Sequence, residues 1–311
     1  MDTDNALVSG PQIRSGYVAL IGRPNVGKST LMNRMLGQKI AITTPKPQTT
    51  RHRILGIHTT RDTQIIFMDT PGIHLHAGKA MNRYMNRAAA SAIEEVDVTA
   101  FLVDALHWSE EDESVLRRLR EVDHPVVLVV NKVDRIADKD ALLPHLEQLS
   151  RRMHFAEVVP LSARKGDNLK AFETALRNHL PHRERFYPED QITDRSERFL
   201  AAEVIREKLM LRLDREVPYA LTVEIEWFKR EEGRLSIAAV IFVEREGQKR
   251  IVIGKGGENL KKIGRAARLE MKRMFQESVH LQLWVKVRSG WSDDDRALRS
   301  LGYTHHESIF R

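Results

Sequence analysis

Two different patterns of apolar and polar positions divide the chain. From Tyr17 to Leu180, short apolar runs alternate with longer amphipathic segments, one of them a predicted helix near Ser29 to Leu36. The apolar runs read YVALIG, ILGIH, QIIFMDT, VTAFLVDA, PVVLVVNK and VVPLSA. Continuous apolar strands separated by helices are typical of a parallel sheet covered on both faces. We therefore predict a doubly wound, mostly parallel α/β domain over residues 16–180, preceded by an N-terminal extension at residues 1–15.

The pattern changes after a polar segment that contains Pro181 and Pro188. Charge and proline are typical of interdomain segments, so we predict a linker at residues 181–195. Beyond it we predict a helix over roughly 196–213, strands at ALTVEIEWF and RLSIAAVIFVE, a short strand at RIVIG, a basic helix over 258–275 and a last strand at VHLQLWVKV. These elements predict a smaller α+β domain over residues 196–288, followed by a polar tail at residues 289–311.

The composition narrows the class of protein. Of the 311 residues, 41% are hydrophobic and 30% are charged, which is typical of a chain that folds into globular domains. The absence of cysteine excludes disulfides, thiolate metal sites and cysteine nucleophiles, and it is compatible with a reducing cytoplasm. The formal net charge of +7 favours a polyanionic partner. No run approaches the roughly 18 apolar residues of a membrane span, so we expect a cytoplasmic protein whose contact with the cytoplasmic membrane, if any, is peripheral.

The residues from Gly22 to Ser29 match the pattern G-x-x-x-x-G-K-[ST] between a predicted strand and a predicted helix. In this pattern the glycines let backbone N–H groups surround the phosphates, Lys28 reaches the β and γ phosphates, and Ser29 ligates Mg²⁺. We predict contacts to a nucleotide from Gly22, Arg23, Pro24, Asn25, Val26, Gly27, Lys28, Ser29 and Thr30.

A second motif, Asp69-Thr70-Pro71-Gly72, ends the predicted strand QIIFM. The carboxyl end of this strand lies beside the phosphate loop, where Asp69 can hold Mg²⁺ through water. Gly72 can then offer its N–H to the γ-phosphate. We assign Thr70, Pro71 and the following Ile73 to the same site.

Two further loops predict which base is bound. Asn131-Lys132-Val133-Asp134 resembles the N-K-x-D signature of the GTPase superfamily. The carboxylate of Asp134 can accept from guanine N1–H and the 2-amino group at once, and adenine offers neither donor. Ser162-Ala163-Arg164 resembles the S-A-K loop, in which the alanine N–H contacts guanine O6. Arg164 in place of lysine leaves that backbone contact untouched.

The segment between the phosphate loop and the second strand is the predicted switch. GTPases carry there the threonine that completes Mg²⁺ coordination in the GTP state. We favour Thr50, with Thr49 as a close alternative. We call residues 48–52 the switch segment; its members are Gln48, Thr49, Thr50, Arg51 and His52.

The residue that activates water is not evident in the sequence. Ile73 stands where Ras-like enzymes place a glutamine that orients the attacking water. An isoleucine side chain can neither orient water nor accept a proton from it. The chain resembles hydrophobic-substituted GTPases, which depend on another group, a partner or a cation, and we name no catalytic base. Asn25 matches the asparagine that binds K⁺ in potassium-activated members of this class. The alternative, that Asn25 only braces the turn, is equally open.

In the second half, Ile251 to Leu260 combine an apolar run, a G-x-x-G loop and a helix start, which resembles the core of a KH domain. The glycines of such a loop let the chain approach a phosphodiester, and lysines supply positive charge. The helix that follows places apolar residues at three-to-four spacing for a core face. The predicted RNA contacts here are Gly254, Lys255, Gly256, Gly257, Lys261, Lys262 and Arg265.

Taken together, the two halves and the closing SGWSDDD and RALRSLGY stretches resemble the Era family of bacterial ribosome-assembly GTPases. The resemblance implies a monomeric protein with a type II KH domain that binds the 3′ end of small-subunit ribosomal RNA. It further implies a role in assembly and maturation of the 30S subunit. It also implies that GTP favours the RNA-competent arrangement. Trp291 and Arg296 become candidate RNA contacts, unless the tail packs on its own domain.

Two other functions compete with an RNA-binding GTPase. A regulatory GTPase could dock its second domain on a membrane surface or a protein partner, but such docking does not require the G-x-x-G loop. A metabolic P-loop kinase is disfavoured by Asn131 to Asp134 and by the lack of an acceptor-substrate domain. The sequence thus favours the RNA-binding GTPase.

Overall fold

The computed structural model describes residues 13–72, 79–137, 140, 142–231 and 233–303. The first domain contains a six-stranded sheet in the order β2-β3-β1-β4-β5-β6. Its strands are β1 (Arg14–Ile21), β2 (Ile54–Thr59), β3 (Thr63–Asp69), β4 (Val98–Asp104), β5 (Val126–Asn131) and β6 (Glu157–Leu161). Only β2 pairs antiparallel, with β3, and the other neighbours are parallel. The predicted doubly wound, mostly parallel sheet is confirmed.

Helices cover both faces of this sheet. They are α1 (Lys28–Leu36), α2 (Ala80–Glu94), α3 (Glu110–Leu119), α4 (Leu142–Ser150) and α5 (Leu169–His179). Strand residues alternate between two separate apolar clusters, one beneath α1 and α5 and the other beneath α3. Because β1, β3, β5 and β6 run in the same direction, their carboxyl ends lie along one edge of the sheet. The predicted motifs follow the strands at this edge.

The predicted linker is attached to the first domain along its length. Ile57 donates its N–H to the Ile192 carbonyl at 2.9 Å, and Thr193 forms a bridge with Gly56. The side chain of Gln64 accepts from the N–H groups of Phe186 and Tyr187. The segment at residues 181–195 therefore lies against the edge of the sheet. Its side chains are partly or fully exposed, which explains its polar composition.

The second domain is a three-stranded sheet packed against helices. Its elements are α6 (Glu197–Arg212), β7 (Leu221–Glu231), β8 (Arg234–Val243), α7 (Glu246–Ile253), α8 (Glu258–Phe275) and β9 (Ser278–Val287). The strand order is β7-β8-β9, with β7 antiparallel and β9 parallel to β8. Ile263, Ala267 and Met271 of α8 are buried against the sheet, as the helical spacing predicted.

The predicted short strand RIVIG is wrong, because these residues form the end of α7. Gln248 accepts from the N–H groups of Glu244 and Arg245 at the start of this helix, and the Gly254 N–H donates to the Arg250 carbonyl at its end. Only one face is buried: Val252 is inaccessible, whereas Ile251 is 51% exposed. A run of three apolar residues fits a strand or one turn of a helix equally well, and the caps determine the outcome here.

The C-terminal residues return to the first domain. A short 3-10 turn at Trp291–Asp293 leads into α9 (Asp295–Ser300). Trp291 and Tyr303 are buried in an apolar cluster with residues of α2, among them Tyr84. None of the described helices is both long and apolar enough to cross a membrane.

Candidate nucleotide site and nucleic-acid interface

The phosphate loop has a backbone that only glycine can adopt at two positions. Gly22 and Gly27 have φ values of 153° and 108°. A Cβ on Gly22 would lie 2.4 Å from the Leu102 carbonyl oxygen, and one on Gly27 would lie 2.3 Å from the Asn131 side-chain nitrogen. The loop is therefore packed tightly against the ends of β4 and β5. The start of α1, whose first N–H groups have no partner within the helix, lines the cleft.

Lys28 closes the loop on itself. Its ammonium donates to the carbonyl oxygens of Gly22 at 2.8 Å and Arg23 at 3.0 Å. Burial lowers the pKa of Lys28 to about 8, and the charge of Asp69 opposes that shift. A phosphate placed in the loop would supply the missing counter-charge, so the lysine is suited to bind one.

Three oxygen atoms meet next to Lys28. The hydroxyl of Ser29 donates to Asp69 Oδ2 at 2.6 Å and lies 2.9 Å from the Thr50 hydroxyl. Asp69 is fully buried, and its Oδ1 has no hydrogen-bond partner among the described residues. Burial raises the pKa of Asp69 to about 6. Two hydroxyls and an unpaired buried carboxylate oxygen fit a hard divalent cation such as Mg²⁺.

The two candidate switch threonines face different surroundings. Thr50 Oγ1 also lies 3.4 Å from Asp69 Oδ2, inside this oxygen cluster. The Thr49 hydroxyl donates to the Lys46 carbonyl at 2.7 Å and contacts the Thr44 hydroxyl instead. Only Thr50 is within reach of the cluster in this arrangement, and its role as a metal ligand stays a prediction.

Asn131 joins the base-reading loops to the phosphate loop. Its Nδ2 donates to the Val26 carbonyl at 2.7 Å, and its Oδ1 accepts from the Ala163 N–H at 3.0 Å. Lys132 extends the connection by donating to the Asn25 carbonyl at 2.8 Å and to Asp104 at 2.7 Å. Asp104 at the end of β4 lies outside the four motifs, and sequence reasoning missed it.

Asp134 stands at the far end of the cleft. Its Oδ1 accepts from the Ser162 hydroxyl at 2.7 Å, which orients the carboxylate beside the Ala163 backbone. The Ala163 N–H, predicted to contact guanine O6, donates to Asn131 in this structure. A guanine contact there would share this donor or take it from Asn131.

The motifs together enclose one cleft of about 440 Å³. The predicted residues that line it are Pro24, Asn25, Gly27, Lys28, Ser29, Thr30, Gln48, Thr49, Thr50, Gly72, Asn131, Lys132, Asp134, Ala163 and Arg164. Lining residues that the motifs did not indicate are Ile42, Thr43, Thr44, Pro45 and Arg135. These follow no recognisable pattern, and only the folded segment between α1 and β2 brings most of them to the site.

Several predicted site residues do not face the cleft. Arg23 turns its guanidinium to Asp112 at the start of α3, 3.1 Å away, and Thr70 donates to the Leu20 carbonyl at 3.0 Å. Val26, Pro71 and Ser162 are buried, and Val133 packs against the apolar cluster beneath α3. Ile73, most of the N-terminal extension and the end of the tail lie outside the described residues.

The end of the switch segment contacts the second domain. Arg51 is fully buried and donates to the carbonyls of Leu221 at 2.7 Å, Tyr219 at 3.1 Å and Pro218 at 3.3 Å. The His52 ring stacks on Tyr303, and burial lowers the pKa of His52 to about 3, so the ring is neutral near pH 7. No pattern in the sequence indicated that these two residues connect the domains.

The G-x-x-G loop joins α7 to α8 as a tight turn. Gly254, Gly256 and Gly257 have φ values of 75°, 60° and 78°. A Cβ on Gly254 would lie 2.6 Å from the Asn259 Cβ, whereas Gly256 and Gly257 border open space. The basic side chains of Lys255, Lys261, Lys262 and Arg265 are exposed around this loop. The loop thus offers open backbone and positive charge to a phosphodiester.

The tail offers two candidate RNA contacts, Trp291 and Arg296. The prediction that Trp291 stacks on an RNA base is wrong for this arrangement of the chain. Its side chain is fully buried, stacks near Tyr303 at 6.2 Å between centroids, and has no open face for a base. The apolar surface of α2 competes for the indole, and sequence alone does not show that surface. Arg296 is exposed at the start of α9, and its role stays a prediction.

The fold and the cleft define a P-loop GTPase domain joined to a KH domain. Residues 17–132 match the family described as 50S ribosome-binding GTPase, and residues 216–292 match the KH domain. The chain is 57% identical over 297 residues to GTPase Era of Ectopseudomonas mendocina, covering 96% of this chain and 99% of that protein. It is 58% identical over 290 residues to GTPase Era of Pseudomonas aeruginosa, covering 93% and 95%. The chain belongs to the Era family, and it is a GTPase.

Two solved structures share the whole fold. One is a Tyr-to-Ala variant of Aquifex aeolicus Era bound to GDP·AlF4⁻, and the other is Era in complex with MgGDPNP and nucleotides 1506–1542 of 16S ribosomal RNA. Each matches with a TM-score of 0.91 and 40% identity, over 94% of this chain and 100% of that chain.

Proposed function

We propose that this protein is a GTP-hydrolysing switch that binds small-subunit ribosomal RNA near its 3′ end and acts in assembly and maturation of the 30S subunit. The observation that carries the proposal is the open, positively charged Gly254–Gly257 loop in the same chain as the nucleotide cleft. The relative bound to MgGDPNP and a 16S fragment supports the choice of RNA. We expect a cytoplasmic monomer.

In the proposed site, the phosphate loop and Lys28 bind the β and γ phosphates, and Asp134 selects guanine. Ser29 and Thr50 would hold Mg²⁺ directly and Asp69 would hold it through water; the ion would neutralise charge on the phosphates. The remaining chemistry of this chain is positioning, because no described side chain in the cleft is placed as a general base for water.

A monovalent cation is the proposed source of further charge stabilisation. Asn25 has φ of 63°, and its Nδ2 donates to the Pro45 carbonyl at 2.8 Å. The Asn25 side-chain oxygen and the Pro45 carbonyl oxygen therefore lie on neighbouring groups that could share a K⁺ ion. The same bond also supports the simpler alternative, in which Asn25 braces the loop, so an experiment must separate the two.

For RNA, the proposed surface is the Gly254–Gly257 turn with the exposed residues Lys255, Lys261, Lys262 and Arg265. Glycine at φ values near 60–80° leaves no Cβ between the backbone and a phosphodiester. About four nucleotides can lie along such a loop. Docking on a membrane surface or a protein needs none of this backbone geometry, so it is the less favoured use of the domain.

The test is the double variant Lys255→Asp with Gly256→Asp, which adds side chains and negative charge to the loop. RNA affinity for a 16S 3′-end oligonucleotide should fall more than about tenfold, while GTP binding and the far-UV spectrum persist. A matched control is Lys229→Asp with Gly233→Asp, because Gly233 also has a positive φ, 72°, and open space around it. Unchanged RNA affinity in a folded loop variant would favour the docking alternative.

A further inference from the structure

Thr50 lies between residues that the second domain holds. The carbonyl of Thr49 accepts a hydrogen bond from Arg206 of α6, and Arg51 donates to the Leu221 carbonyl at the start of β7. The Thr50 hydroxyl points the other way, into the oxygen cluster of the nucleotide cleft. Its position therefore depends on contacts that the GTPase domain does not make alone.

The C-terminal segment adds a further contact to the switch segment. The ring of Tyr303 stacks on His52 with centroids 4.5 Å apart and an angle of 11° between planes. The Tyr303 hydroxyl lies 3.0 Å from the Thr222 hydroxyl, and its ring meets the edge of Tyr84 of α2 at 5.7 Å. Tyr303 is thus fixed from the KH domain and packs between the switch segment and α2.

The same segment supplies a cap to α2. The first N–H groups of a helix lack partners within the helix, and Lys79 at the N-cap of α2 provides no side-chain acceptor. Asp293 Oδ1 accepts from the Ala80 N–H at 2.9 Å. Because Asn82 of α2 accepts a hydrogen bond from the Gln48 side chain at 3.1 Å, this cap holds a helix that contacts the switch segment.

We propose that the segment Trp291–Tyr303 is a positioning element for GTP hydrolysis: Tyr303 holds Thr50 in the cleft through His52, and Asp293 holds the start of α2. This inference rests on the proposed GTPase chemistry and adds two positioning residues to it. Neither residue contacts the nucleotide cleft itself.

The experiment measures single-turnover GTP hydrolysis by the full chain while Mg²⁺ is varied, together with affinity for GDP. Tyr303→Ala and Asp293→Ala should each slow hydrolysis at limiting Mg²⁺ by about tenfold and raise the Mg²⁺ concentration for half-maximal rate. GDP affinity should not change, because the switch contacts form with the γ-phosphate and its Mg²⁺. Tyr303→Phe keeps the ring and Asp293→Asn keeps an acceptor oxygen, so both should approach the unmodified rate.

Asp295→Ala is the matched control, since Asp295 is an exposed carboxylate two residues further along in α9. The inference is overturned if both alanine variants hydrolyse GTP at the unmodified rate at every Mg²⁺ concentration, or faster. It is also overturned if the conservative variants are equally slow, or if GDP affinity falls in parallel. Tyr303 is buried, so Tyr303→Ala can fail to fold. Asp293 is exposed, and Asp293→Ala then provides the test in a folded protein. Failure of the unmodified protein to hydrolyse GTP would instead reject the proposed function.

Discussion

Replacing Asp134 by asparagine should change which base the cleft accepts. The carboxylate is oriented by the Ser162 hydroxyl, so the amide that replaces it can keep one acceptor oxygen there. Guanine then loses charge-assisted bonds to N1–H and the 2-amino group, each worth about 1.5–3 kcal/mol. If a weaker neutral bond is retained, the net loss is about 3 kcal/mol, or roughly a hundredfold in affinity.

Xanthine should recover much of that loss, because its C2 oxo group accepts from the new amide nitrogen. Competition of GDP and XDP against a fluorescent nucleotide measures both affinities in one protein. Asp123→Asn is a matched control: it removes the same charge from an exposed position before β5, at the opposite end of the strand from Asp134. Unchanged GDP affinity in Asp134→Asn, or an equal loss for both nucleotides, would refute the assignment of the base-reading loop.

Two further predictions concern the cation and the domain contact. Hydrolysis by the unmodified protein should be faster in K⁺ than in Na⁺, and Asn25→Ala should abolish the difference; equal rates in the two salts would leave Asn25 as a brace. Arg51→Ala should lower the free energy of unfolding by about 3 kcal/mol, because buried carbonyls of Leu221, Tyr219 and Pro218 lose their donor. Urea denaturation measures that loss, and an unchanged midpoint and slope would contradict the importance of this contact.

The parts of the protein that sequence predicted well are those encoded locally. Each strand of the first sheet is a continuous apolar run, because helices bury both of its faces, and each motif follows a strand at the same edge. The spacing of Ile263, Ala267 and Met271 likewise identified the buried face of α8. These signals need no knowledge of distant parts of the chain.

The errors and omissions involve contacts between distant segments. In a polar tail, an indole with a polar nitrogen suggests an exposed side chain that is available to RNA. The apolar surface of α2, more than 200 residues earlier in the chain, instead buries the Trp291 ring. Arg51 and His52 lie in a polar stretch typical of a mobile switch, but their partners belong to the second domain. The end of α7 was ambiguous because three apolar residues do not define a period.

The proposed switch couples the nucleotide cleft to the RNA loop within one molecule. The most direct measurement is the affinity of the unmodified full chain for a 16S 3′-end oligonucleotide in the presence of Mg²⁺ with GDPNP, compared with GDP. We predict tighter RNA binding with GDPNP by about tenfold or more, because closure of Thr50 on the γ-phosphate side also fixes the contacts of Arg51 and His52 with the second domain. Equal affinity in the two nucleotide states would contradict the coupling of the two sites.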